Sequence, residues 1–150
     1  MTATAHFVSP ADLAAASVEL TFAPRLPDPS LSGALRGLRI HVRDHRGRDV
    51  PRGERTLEAW FDTFTFSQSS RTEADARHAA LDVSYGRDPQ PVWILGREGR
   101  GYELGPQPAP DDSDERSPAV IAWADGAIFY FLASGELSLT QLIDVAASIY

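Results

Sequence analysis

Residues 119–149 read AVIAWADGAIFYFLASGELSLTQLIDVAASI, and this stretch decides the fold class. Val120 to Trp123 and Ala127 to Leu132 are apolar strands joined through Ala124-Asp125-Gly126. Asp-Gly between apolar strands is a strong signal for a tight hairpin. Further on, Leu139, Leu142, Ile143, Ala146 and Ile149 recur at helical spacing, which predicts an amphipathic helix with one apolar face. Ser138 and Gln141 have the spacing of a capping box, and Leu137 with Leu142 suits the hydrophobic staple around it. Strands followed by such a helix imply an α+β domain, with the helix laid on an antiparallel sheet.

Working outward, the upstream sequence reads mostly as strands. Leu38, Ile40 and Val42 alternate with Arg39, His41 and Arg43, giving one apolar and one polar face. Asp44-His45-Arg46-Gly47-Arg48 turns the chain, and Asp49-Val50 begin its return. Residues 57–67, LEAWFDTFTFS, read as one strand with Trp60, Phe64 and Phe66 on one face and Phe61, Thr63 and Thr65 on the other. Asp62 on the aromatic face marks an edge or a bulge. Residues 68–78 are polar, and Thr72 with Asp75 suggests one or two helical turns. Leu81, Val83 and Tyr85 alternate with Asp82 and Ser84 as a strand. Val92 to Leu95 is a continuous apolar run, which predicts a buried strand. Gly96, Gly99 and Gly101 then lead into Tyr102-Glu103-Leu104 as the second arm of a hairpin.

At the N-terminus a short helix is expected within residues 1–17, with Ser9 as its cap, Pro10 in the first turn and Asp12 as the capping-box acid. Val18 to Phe22 alternates like a strand and stops at Pro24, and PRLPDPSLSG (24–33) reads as a rigid surface connection. GPQPAPDDSDERSP (105–118) reads as a mobile, acidic, Pro-rich loop. The expected architecture is a single α+β domain over residues 1–150. It is a curved antiparallel sheet of about seven strands, with a C-terminal amphipathic helix packed on one face and a short N-terminal helix.

Composition narrows the chemistry. The chain has 150 residues, 43% hydrophobic and 23% charged, the balance of a folded globular protein. Cys is absent, which excludes disulfides, thiolate metal sites and cysteine nucleophiles. All 14 basic residues are Arg, so no lysine Schiff base, P-loop lysine or Ser-Lys pair exists. No apolar run reaches the length of a membrane span. The opening MTATAHFVSP has neither a basic start nor an apolar h-region, which points to a cytoplasmic location.

The C-terminal third carries a resemblance. Its parts are Ala119 to Gly126 with Trp123, Ile128 to Leu132, Gly135-Glu136-Leu137-Ser138, and Leu142 to Ile149. Together they resemble the uncharacterised extracytoplasmic C-terminal domain of membrane-bound anti-sigma-factor-like proteins. Upstream, Thr65-Phe66-Ser67-Gln68, Val92 to Gly96 with Gly99 and Tyr102, and Leu26-Pro27 are similar to the same family. The resemblance implies the sheet-and-helix design of lipoprotein-carrier and periplasmic sensor domains, and an extracytoplasmic location. It brings no catalytic residue with it.

His41, Asp44 and His45, with Asp49 nearby, carry metal-ligating groups. On a strand, however, His41 and His45 stand about 13 Å apart, so the expectation is solvated hairpin residues and no bound metal. Arg36 to Arg55 holds seven Arg against Asp44, Asp49 and Glu54, while residues 76–150 carry more acids than Arg on a chain of net charge −7. Guanidinium forks hold carboxylate or phosphate, so Arg39, Arg43, Arg46 and Arg48 are the expected contacts for an anionic partner. Aromatics are not interleaved with these arginines, which argues against nucleic acid. Asp111 to Glu115 lacks the spacing of a calcium loop, and Gly96-x-x-Gly99-x-Gly101 opens no helix, unlike a dinucleotide fingerprint. No G-x-S-x-G elbow is present, and no cofactor is expected. The leading expectation is a non-enzymatic sensing or protein-interaction domain with a regulatory role. A carrier of lipid or a small apolar ligand between sheet and helix is the alternative, and an enzyme of unknown reaction the second.

Overall fold

The computed structural model of the chain describes residues 5–9, 11, 13–43, 54–82, 89–103, 107–108, 115–116 and 119–150. Its elements are, in order, β1 (Ala5–Val8), α1 (Leu13–Leu20), α2 (Pro29–Ser32), β2 (Leu35–Arg43), β3 (Glu54–Phe61), β4 (Thr65–Ser70) and α3 (Glu73–Leu81). Then follow β5 (Gln90–Ile94), β6 (Arg97–Glu103), β7 (Gln107–Pro108), β8 (Glu115–Arg116), β9 (Ala119–Asp125), β10 (Ile128–Ser134) and α4 (Leu139–Ala147). Among the described residues, eight strands form one antiparallel sheet in the order β1-β2-β3-β4-β10-β9-β6-β5, one strand more than the sequence suggests. The architecture is α+β, a curved antiparallel sheet with the C-terminal helix on it. Within 105–118, β7 and β8 pair with each other.

Alternation assigns the two faces. Leu38, Ile40, Leu57, Ala59, Phe66, Ile121, Trp123 and Leu132 point to an inner face, where they meet Ala16 and Leu20 of α1 and Leu142, Val145 and Ala146 of α4. Trp123 and Tyr130 stack with centroids 5.0 Å apart, and Phe66 stacks on Tyr130 at 6.0 Å. Each fully buried large side chain contributes about 1.5–3 kcal/mol, so this layer holds the fold. α4 begins as its sequence predicts: Gln141 N–H donates to Ser138 Oγ at 3.2 Å, and Ser138 N–H donates to Gln141 Oε1 at 2.9 Å.

The outer face is covered by α3 over β9, β10 and β6. Ala76 and Ala80 lie at that contact with 0% and 1% exposure, and small side chains there let the helix approach the strands closely. Thr72 caps α3 by accepting from the Asp75 N–H at 3.1 Å. The sheet is therefore flanked by helices on both faces.

The structure corrects several local expectations. Ala5–Val8 is a strand paired with β2, so the N-terminal helix starts only at Leu13. Val18 to Leu20 continue that helix, because Leu13, Ala16 and Leu20 fall on one helical face against the core. It stops where Thr21 takes φ +68°. Residues 57–67 are two strands: the chain turns at Asp62-Thr63, and Phe61 N–H donates to the Phe64 carbonyl at 3.0 Å. The turn reverses the chain between Trp60 and Phe66, so Phe61, Phe64 and Phe66 are buried in the core while Trp60 stands on the outer face. Leu81 ends α3 instead of opening a strand, and residues 83–88 lie outside the described residues. In 92–95 the burial alternates: Val92 and Ile94 are inside, whereas Trp93 and Leu95 are 60% and 63% exposed. That run lies at the sheet edge, so one side of the strand faces solvent.

The two hairpins differ in turn chemistry. Leu95 and Gly96 both have positive φ, 47° and 85°, the type I′ pattern that suits strand twist but strains a leucine. In the β9–β10 hairpin Asp125 pairs with Ile128, leaving Gly126-Ala127 as the two loop residues. Gly126 supplies φ +60° at the first of them, as a type II′ turn requires.

Candidate functional site: an aromatic and arginine ledge on the outer face

The arginine-bearing strand β2 brings its polar side chains onto the outer face of β1, β2 and β3. The register sets Phe7, Arg39 and Glu58 in one row across the three strands, with His41 and Thr56 in the next. Gly37 stands opposite Trp60, and a Cβ there would sit 3.3 Å from the indole, so the missing side chain makes room for the ring. Phe7 leans on Trp60 at a tilt, centroids 6.1 Å apart, and remains 76% exposed. The Arg39 guanidinium lies over the same indole at 5.2 Å. Cation, indole and phenyl ring thus form a continuous ledge along the β1 edge.

Beneath the ledge is a polar cluster. His41 is 1% exposed, and its Nε2 lies 2.9 Å from Arg39 Nε and 3.1 Å from Glu58 Oε2. One ring nitrogen serves one of these at a time: unprotonated it accepts from Arg39, protonated it donates to Glu58. Arg39 Nη2 also reaches Glu58 Oε1 at 3.4 Å. Thr56 and Ser69, cross-strand neighbours on the same face, share a hydroxyl contact of 3.0 Å. At the end of the ledge, Arg36 holds Asp62 through a two-pronged ion pair in the β3–β4 turn. The hydrogen bond from Arg36 lowers the Asp62 carboxyl below its usual range.

These positions revise the sequence expectations for the site. Arg39 is on the outer face as expected, but its side chain is only 31% exposed and is engaged by Glu58, His41 and Trp60. Arg43 closes β2 with its backbone opposite Glu54, and its side chain lies outside the described part, as do Arg46 and Arg48. Asp44, His45 and Asp49 also lie outside it. His41 is not solvated: the sheet buries it against Glu58. Among the described residues, no group of three His, Asp or Glu stands close enough to hold a metal.

Sequence reasoning missed Phe7, Trp60 and Glu58 as partners of Arg39. Phe7 sits in a four-residue strand too short to show alternation, and the face of Trp60 depends on the turn at Asp62. A second aromatic cluster lies near the C-terminus, where Trp123 Nε1 donates to the Tyr150 hydroxyl at 3.0 Å. Arg25 and Arg97 lie over the Tyr150 ring at 4.9 and 3.8 Å. Burial pushes the Tyr150 hydroxyl up to about 12 and raises that of Tyr130 as well. Both hydroxyls therefore stay protonated at neutral pH, and the cluster ties the chain end to the sheet.

The chain matches no protein-family model, no curated protein and no solved structure.

Proposed function

We propose that the chain is a non-enzymatic protein-interaction domain with a sensing or regulatory role, and that it engages an acidic protein surface through the Phe7–Trp60–Arg39 ledge. The observation that carries this reading is Phe7, 76% exposed, packed on Trp60 and set opposite Arg39 of the arginine-rich segment. An exposed phenyl ring on a half-buried indole beside arginine has the composition of an interface hot spot, where rings supply area and guanidiniums supply orientation. Seven Arg in residues 36–55 would steer an acidic surface toward the ledge. The resemblance to the anti-sigma-factor-like domain points toward the same class of role.

A carrier would need apolar space between sheet and helix. Phe66, Ile121, Trp123, Leu132 and Leu142 are all 0% exposed there, which favours a packed interior over a ligand-holding one. No helix among the described residues is long and apolar enough to cross a membrane.

The test is retention on immobilised poly-L-glutamate over a salt gradient. Wild-type protein should be retained at low salt and released as screening rises. Phe7→Ser combined with Arg39→Gln should elute early. Equal retention of the two proteins at every salt concentration would overturn the reading.

A further inference from the structure

A groove of about 260 Å³ opens on the outer face, at the opposite end of the sheet from the ledge. Glu73, Arg77 and Ala80 of α3 form one wall, Glu98 of β6 another, and Ala124 and Gly126 close the end at the β9–β10 turn. Ala80 is buried and Ala124 half-buried, so the floor is apolar, while both signs of charge stand at the rim.

The charges at the rim are disposed unequally. Glu98 is held in place by Arg100, whose Nη1 donates to it at 2.8 Å. Glu73 and Arg77 stand four residues apart on α3, a spacing that commonly supports an ion pair. Among the described residues they form none, with each other or with any other group. An uncommitted guanidinium and an uncommitted carboxylate, one helical turn apart, face the same groove as a fixed carboxylate. Trp93, directly across the β5–β6 ladder from Glu98 and 60% exposed, adds an aromatic surface on that face.

We propose that this groove binds a small zwitterion of the α-amino-acid class. Its carboxylate pairs with Arg77, its ammonium lies between Glu73 and Glu98, and its side chain rests over Ala80 and Ala124. Sites for drug-sized ligands run to about 300–1,000 Å³, so this volume suits a ligand of amino-acid size. An open groove with so few contacts gives an affinity on the order of 1 mM. The inference is independent of the ledge, because the two share no residue.

The test is an amide NMR titration of the full chain with a panel of free L-amino acids. Saturable shifts at Ala80, Ala124 and Gly126 are expected for at least one of them. N-acetylated and C-amidated forms of that amino acid should produce none. Arg77→Gln and Glu98→Gln should each weaken binding about tenfold or more, since each removes a charge-assisted pair. Both side chains are on the surface, so melting should be unchanged and a loss of binding would not reflect misfolding. The proposal fails if no amino acid gives saturable shifts. It also fails if the blocked forms bind equally well, or if both variants bind like wild type.

Discussion

Gln68→Ala should destabilise the protein by about 2–4 kcal/mol, although the residue it removes is polar. Gln68 is 0% exposed on the inner face of β4, amid the apolar layer. Its Nε2 donates to the Arg25 carbonyl at 2.7 Å, and its Oε1 accepts from the Arg25 N–H at 2.8 Å. One side chain thus satisfies both backbone groups of a residue in the segment joining α1 to α2, and fastens that segment across the sheet. Leaving a buried donor or acceptor unmet costs about 1–3 kcal/mol, so two such groups set a ceiling near 6 kcal/mol. Arg25 is exposed as a residue, so water recovers part of that loss and the lower half of the range is expected. Gln68→Met keeps the volume and removes both hydrogen bonds, so it should cost nearly as much as Ala. The assay is urea unfolding of the three proteins, with amide exchange at Arg25 as a local readout. A loss below about 1 kcal/mol for Gln68→Ala, or wild-type stability in Gln68→Met, would refute the account.

Gly99→Ala should cost about 1–3 kcal/mol in thermal unfolding, since its Cβ would meet the Ala122 carbonyl oxygen and come 2.9 Å from Trp123 Cβ in the paired strand; a neutral result would show that the β6–β9 ladder gives way easily. Ser138→Ala removes the capping box and should lower stability by about 1 kcal/mol, whereas Leu142→Ala, 0% exposed, should cost about 2–5 kcal/mol. Near-zero values for both in urea would mean that α4 does not dock. Tyr150 holds its proton up to about pH 12 in the folded state, against about 10 when unfolded. Folded protein therefore binds more protons than unfolded protein in that window, and stability should be intact below pH 10 and fall as pH rises through it. Tyr150→Phe should flatten this fall, leaving the smaller contribution of Tyr130; an unchanged slope would show that the hydroxyl is not held this way.

Features governed by neighbours in sequence were legible before any coordinates. The α4 capping box, the β9–β10 hairpin, the alternation of Leu38 and Ile40, and the helical turns signalled by Thr72 and Asp75 each depend on residues within one turn or one pleat. Features that require knowing a partner strand were not. Val18 to Leu20 alternate as convincingly as a strand, and only packing of Leu20 against the sheet selects the helix. Residues 57–67 look continuous, and the contact that divides them, Phe61 N–H to the Phe64 carbonyl, exists only once β3 and β4 pair.

The candidate sites follow the same division. The concentration of arginine in 36–55, and the absence of cysteine and lysine, are properties of composition and were read directly. That Arg39 is engaged by Glu58 and Trp60 follows from the β2–β3 register, which a one-residue slip would reverse. So too with His41: the sequence places it on the polar face of its strand, and tertiary structure buries it to 1% exposure beside a carboxylate. The groove on the outer face joins α3 to β6 and the β9–β10 turn, segments separated by tens of residues. The sequence by itself therefore determined the α+β class, the start of its C-terminal helix and its charge distribution. Tertiary structure decided which side of each strand is covered, because periodicity records two faces and only the packing partner distinguishes inside from outside.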